Sequence, residues 1–171
     1  KSDALAMKTV VVSTDRDAFQ LVTEHVSLMM TPRGVAEVLC YTPERVKARY
    51  GLEPLQIPDF IALKGDSSDN IPSVPGFGEK TAAEALMRFG SIERLIENAD
   101  QLPKAKRAAL LQHADQARAS KALSTLKRDL DLPVKLEELT TVKPDRSGLA
   151  AFCERFEFKN ILNRMALLEA S

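Results

Sequence analysis

Between Gly65 and Gly90 the chain reads GDSSDNIPSVPGFGEKTAAEALMRFG, and no other stretch restricts the fold as much. It joins a carboxylate pair, Asp66 and Asp69, through a proline-punctuated link to a Gly-Phe-Gly hairpin, and the hairpin opens a helix whose first turn carries Lys80 and Thr81. Glycine at 76 and 78 permits positive φ and close backbone approach, so consecutive N–H groups are expected to turn toward one anion. The positive end of the following helix adds to the same spot. Two better-known phosphate motifs do not fit. The dinucleotide fingerprint requires a third glycine, where Thr81 stands, and a strand before the first. The P-loop requires four residues between its glycines and a Lys-Ser/Thr after the second. A helix, a tight hairpin and a second helix remain, suited to a nucleic-acid backbone; an ordinary interhelical turn with a glycine cap has the same spacing.

The segment in front is of a different kind. Thr9 to Ser13 (TVVVS) is a β-branched run expected as a strand buried on both faces. Asp15 and Asp17 follow at its carboxyl end, where open α/β sheets place their ligands, and the pair suits a divalent cation. Asp15 also suits a helix cap ahead of Ala18 to Glu24. Val26 to Met30 and Val35 to Cys40 read as two strands of a hairpin around the Pro32-Arg33-Gly34 turn. Thr42-Pro43 starts a helix that Gly51 ends. Glu53-Pro54 marks a boundary, giving residues 1–54 as an α/β lobe and 55–171 as a helical one.

In the helical part, Ile57 to Leu63 is a short apolar helix delivering Gly65-Asp66. Asp66 and Asp69 are three apart, so in a helical turn or tight loop their carboxylates converge, and such hard oxygen donors suit Mg²⁺ or Mn²⁺ over zinc. Turn chemistry ahead of Pro72 accounts for Asp69-Asn70 equally well. Ser91 is a cap for a new helix. Lys104, Lys106, Arg107, Arg118, Lys121, Lys127 and Arg128 are either a backbone-tracking stripe beside Lys80 or an ordinary solvated face. Asp129 to Leu136 reads as an extended connector or edge strand, and Thr141 to Gly148 as a linker. Leu149–Phe158 and Ile161–Leu168 carry Phe152, Phe156, Phe158, Leu162 and Leu167 at core spacing, expected to cover the hairpin lobe. His25 and His113 have no ligand partners at metal spacing.

Composition narrows the setting. The 171 residues carry 24 basic and 24 acidic side chains, so no global field attracts nucleic acid and any basic surface is local. Cys40 and Cys153 form no disulfide framework or zinc spacing, as expected in a reduced interior. No apolar run approaches about 18 residues, and a soluble chain is expected, with no membrane partner.

Taken together, the motifs resemble a known family. LKGDSSDNIPSVPGFGEKTA resembles the helix-hairpin-helix core of the 5′ nuclease superfamily, in particular the 5′→3′ exonuclease domain of bacterial DNA polymerase I and its stand-alone relatives. VVVSTDRDAFQLV resembles the strand-end Asp-x-Asp of the same proteins, while LKRDLDLPV and FCERFEFKNILNRMALLE resemble their C-terminal helices. The likeness runs from Val10 to Glu169. It implies an α-rich α/β fold, a partial parallel or mixed, PIN-like sheet followed by a helix-hairpin-helix lobe of the H3TH type. It also implies a metal-dependent exonuclease or flap endonuclease of DNA replication and repair, acting in the bacterial cytoplasm at the nucleoid. On this chain Asp15, Asp17, Asp66 and Asp69 would hold two Mg²⁺ or Mn²⁺ ions. Gly76, Gly78, Lys80 and Thr81 would bind duplex, nicked or 5′-flap DNA phosphates, and Val74 and Phe77 would contact a K⁺ ion at the hairpin. Nothing here matches the roughly one hundred leading residues, a small-domain length, in which the family carries further carboxylates and an arch. A non-catalytic duplex-binding module is therefore the other reading, and the oligomeric state is not legible.

Overall fold

A computed structural model of the protein describes residues 5–31, 38–131, 133–140 and 145–169. The chain forms two compact units, Lys1–Arg128 and Asp129–Ser171.

The first unit begins with a small mixed sheet. Strand β1 (Thr9–Val12) pairs in parallel with β2 (Val26–Met30), from Thr9 opposite Val26 to Val12 opposite Met29. β2 pairs antiparallel with β3 (Leu39–Tyr41), Leu28 opposite Tyr41. The partial mixed sheet is thus as expected, and the turn at 32–34 and the start of the third strand lie outside the described residues. Expectation and structure part at β1. It is not buried on both faces: Val10 is 52% and Val12 68% exposed, whereas β2 buries Val26, Leu28 and Met30. β1 lies at the edge, with a core against one face only, and β-branched residues favour a strand whether or not both faces are covered.

Helices follow. α1 (Pro43–Tyr50) runs from Thr42-Pro43 to Gly51 as the cap signals indicate. α2 (Ile57–Lys64) is apolar nearly all round because it is enclosed, with every residue from Ile57 to Leu63 buried. α3 (Glu79–Phe89) ends at Gly90, and α4 (Ile92–Glu97) starts where the Ser91 hydroxyl accepts the Arg94 N–H. α5 (Lys104–Gln112) and α6 (Ala114–Ser124) complete the unit. The division after Pro54 falls inside this unit, where α2 serves two cores. Ile57 and Ile61 pack with Phe19, Leu28 and Val46, while Phe60 and Leu63 pack with Phe77, Leu86, Ile92 and Leu95.

Two buried polar contacts bind distant segments. Asp59 on α2 accepts the Ile92 N–H at 2.8 Å and meets Lys121 Nζ of α6 at 2.8 Å, and Lys121 also meets Glu93. Burial works against the Lys121 ammonium, but its bonds to Asp59 and Glu93 hold its pKa above the usual value. Gln20 donates to the Ser124 carbonyl and accepts the Leu126 N–H, tying the segment after β1 to the end of α6.

In the second unit α7 (Arg146–Arg155) is capped by Asp145, whose carboxylate accepts the Gly148 N–H, so the linker expected to reach Gly148 ends by 145. α8 spans Lys159–Glu169. Asp129 to Leu136 joins no sheet among the described residues. Phe152, Phe156 and Phe158 do not lie in a core. They contact one another at 4.7 to 6.2 Å between ring centroids and stay about half exposed, while Cys153 is the residue α7 buries. Helical spacing puts Phe152 and Phe156 on one side of the end of α7, and Phe158 from the turn before α8 joins them with the rings half exposed. The Leu167 side chain lies outside the described residues.

Candidate functional site

The first carboxylates stand at the carboxyl end of β1. Ser13 extends the strand by donating its N–H to the Met29 carbonyl, and its hydroxyl accepts the Asp15 N–H. Asp15 Oδ1 accepts the Asp17 N–H at 2.9 Å, and Asp17 opens a 3-10 helix, Asp17–Leu21, shorter than the helix expected to Glu24. Turn chemistry thus occupies one oxygen of Asp15 and leaves the other for a ligand.

The second pair is on a tight loop. Asp66 and Ile71 exchange both backbone hydrogen bonds, at 2.8 and 2.9 Å, closing the segment between them. The pinch needs Gly65: its φ is +81°, and a methyl there would meet the Ile71 oxygen and Ser73 nitrogen at 2.8 Å. Asp66 is buried, and its Oδ1 accepts both the N–H and the hydroxyl of Ser68. Asp69 is exposed on the loop.

Electrostatics link the pairs. Burial, and then the charges of Asp15, Asp69 and Asp66, push the Asp17 carboxyl up to about 6. Asp66 moves the other way, held below the usual range chiefly by the Ser68 hydroxyl and also by Arg16 and Lys64. Tertiary structure therefore brings Asp17 within electrostatic range of the other three carboxylates, although among the described residues no three His, Cys, Asp or Glu side chains are close enough to hold one ion. The donors are oxygen alone, and their repulsion is of the kind a hard divalent cation relieves.

The hairpin lies in the same unit. Val74, Pro75, Gly76 and Phe77 form a turn in which the Phe77 N–H reaches the Val74 carbonyl at 3.0 Å, with Pro75 at its second position and Gly76, φ +83°, at its third. Val74 donates to the Leu63 carbonyl, and the side chains of Val74 and Phe77 are buried, so the turn is anchored to the end of α2. Gly78 does not have the positive φ expected of it. At φ −75° and ψ −178° it is the extended N-cap of α3, and nothing lies within 4 Å of where a side chain would stand. Its contribution is open access to the first turn of α3, whose leading N–H groups have no intrahelical partner.

Lys80 is 90% exposed, 3.9 Å from Glu84, and Thr81 is half-buried. From α5 Lys106 reaches the same hairpin, its Cγ 3.9 Å from a methyl built on Gly76. The Gln116 amide of α6 approaches the Ser73 carbonyl at 3.4 Å, and its oxygen lies 3.1 Å from His113 Nδ1. The basic stripe is partly dismantled: Lys121 serves Asp59 and Glu93, and Arg118 pairs with Asp115.

A family model, "5′-3′ exonuclease, C-terminal SAM fold", matches residues 52–147, more than half of the chain. The chain belongs to the 5′-3′ exonuclease family. It is 39% identical to DNA polymerase I of Bacillus caldotenax over 156 residues, 91% of this chain and 18% of that protein. Against the thermostable DNA polymerase I of Thermus thermophilus it is 41% identical over 171 residues, 99% of this chain and 20% of that protein. It thus spans about a fifth of these relatives. The fold is that of a bacteriophage T5 5′-exonuclease with bound zinc, with TM-score 0.62, 21% identity, and coverage of 71% of this chain and 44% of the other. The catalytic core of Rad2 in complex with DNA substrate gives TM-score 0.52 and 13% identity over 84% of this chain and 50% of its own.

One feature of this family member has no counterpart in the motif reading. Arg16, between the two aspartates of the first pair, and Lys64, ahead of Gly65, line a cleft of about 450 Å³ with Gly65, Asp66, Ser73 and Glu79. Arg16 is 4.0 Å from Asp66 Oδ2 and 57% exposed, and Lys64 Nζ lies 5.5 Å over the Phe60 ring. The available signal was basic residues interleaved with the acidic motif.

Proposed function

We propose that the chain is the carboxylate-bearing, duplex-binding part of a metal-dependent 5′-3′ exonuclease or flap endonuclease that hydrolyses DNA phosphodiesters in replication and repair, in a bacterial cytoplasm. The observation that carries this is an open hairpin, with Gly78 uncovered at the start of α3 and Lys80 and Lys106 beside it, in the same compact unit as Asp17 and the three carboxylates whose charges act on it. Family membership supports the reading, as do the DNA and the divalent ions named with the solved neighbours.

In this reading residues 1–54 are the remnant of the nuclease lobe and 55–171 the helix-hairpin-helix lobe. The hairpin N–H groups and Lys80 hold backbone phosphates without reading bases, which positions a nicked or 5′-flap duplex. Asp15, Asp17, Asp66 and Asp69 would hold Mg²⁺ or Mn²⁺, which would supply an activated water and charge stabilisation for in-line displacement. Asp17, with its raised pKa, gives up its proton as the cation binds. Val74 and Phe77 would be the hairpin's contacts for K⁺.

A second reading, a non-catalytic duplex-binding module, is favoured by one observation: no three carboxylates among the described residues come within reach of one ion. Titrating the chain with labelled nicked and 5′-flap duplex in Mg²⁺ and in EDTA tests both. Binding is expected in each condition, and Lys80→Ala is expected to weaken it equally across sequences while lowering the salt slope by about one. A loss that varied strongly with base sequence would remove the phosphate-clamp reading.

A further inference from the structure

We propose that the cleft between Arg16 and Lys64 receives a phosphate group of the bound strand and seats it against the carboxylate pairs. The inference rests on the DNA-binding reading above and assigns residues that the motifs leave out.

Two cations line one opening whose floor is Asp66. Asp66 Oδ1 is occupied by Ser68, so Oδ2 is the atom left toward the cleft, and Arg16 approaches it at 4.0 Å. At that distance the guanidinium is a counter-ion without a close hydrogen bond, and its own side chain stays 57% exposed. Its donor fork is free to turn to a better acceptor, and planar guanidinium favours phosphate oxygens. Lys64 lies over Phe60, which keeps the ammonium near the opening. Ser73 adds a hydroxyl to the lining.

Asp66 and Glu79 make part of the lining negative. A divalent cation held by the carboxylates would lower that charge and would compete with Arg16 for Asp66, which would leave the guanidinium to the phosphate.

The test uses the full chain, Ca²⁺ as the probe cation and fluorescent nicked duplex carrying either a 5′-phosphate or a 5′-hydroxyl. Arg16→Gln with Lys64→Gln is expected to lower DNA affinity about tenfold in Ca²⁺, the loss of a charge-assisted contact, and to lower the salt slope by about one. Calorimetric Ca²⁺ affinity is expected to stay equal or rise, because a competing positive charge has gone, and Arg16→Lys is expected to restore part of the DNA affinity. An effect confined to the 5′-phosphorylated duplex assigns the cleft to a terminal phosphate, and an effect on both duplexes assigns it to an internal one. DNA affinity unchanged in the double variant, or Ca²⁺ and DNA affinities falling together, overturns the proposal. Lys80→Ala keeps the two readings apart. Wild-type binding that Lys80→Ala weakens and the cleft variant does not would sink the cleft alone, and no DNA affinity in the wild type would sink the DNA-binding reading itself.

Discussion

Asp17 is the residue on which the carboxylate site presses hardest. Its pKa is raised from 3.8 to about 6, so the folded state favours the protonated form. The associated stability is fully present below pH 3.8 and is lost as pH rises through about 6, because the folded chain then binds more protons than the unfolded one. In metal-free protein Asp17→Asn is accordingly expected to raise stability at pH 7 by about 1 kcal/mol, discounted for partial exposure, and to change little at pH 3. Urea denaturation at the two pH values checks this, and equal effects at both would show that ionisation of Asp17 is not the cause. Metal binding near pH 6 is expected to release protons, seen as calorimetric heats that vary with buffer ionisation enthalpy.

Elements are held where they are by groups that look unremarkable along the chain. Gly65 lets α2 end directly into the Asp66–Ile71 loop, and Gly65→Ala combines a positive φ with a 2.8 Å clash against backbone atoms. Backbone has no rotamer with which to yield, so a loss of about 2 kcal/mol is expected in chemical denaturation, with weakened Mn²⁺ binding as the loop opens. The Asp59, Lys121 and Glu93 cluster clamps α2, α4 and α6. Asp59→Ala orphans the Ile92 N–H and leaves Lys121 with Glu93 alone. About 2 kcal/mol is expected to be lost, less than for a fully buried pair because Lys121 is partly exposed. A double-mutant cycle with Lys121→Met measures the coupling, and additive effects would show that the pair does not act as one contact.

At the scale of the whole molecule, the chain covers about a fifth of its polymerase relatives, and its first unit holds both the hairpin and the carboxylates. Binding of branched or nicked duplex is expected to survive in this chain, since phosphate contacts supply most non-specific affinity. Cutting is expected to be slow or absent, because two cations about 4 Å apart need more carboxylates than four side chains of which no three meet. Gel assays of 5′-flap DNA in Mg²⁺ decide the matter. Cleavage as fast as that of an intact 5′ nuclease, abolished by Asp15→Ala, would show that a complete site forms. Among the described residues no helix is long and apolar enough to cross a membrane.

What could be read from the sequence alone was local or carried by spacing. Thr42-Pro43, Gly51, Gly90 and Ser91 act within a turn of the backbone they cap, so both ends of α1, the end of α3 and the start of α4 were legible. The same holds for β2 and for the hairpin, where Pro75 and Gly76 dictate a turn by their own allowed φ. Burial was not legible, because it depends on what arrives from elsewhere. Nothing in TVVVS says that Val10 and Val12 face outward, and nothing in the spacing of Phe152, Phe156 and Phe158 says that these rings meet one another while half exposed. Charge partners were hidden for the same reason. Lys121 looked like a member of a solvated stripe until Asp59, 62 positions earlier, came to 2.8 Å. Arg16 and Asp66 lie 50 positions apart, and only the folding of the chain against a shared core sets them and Lys64 around one cleft.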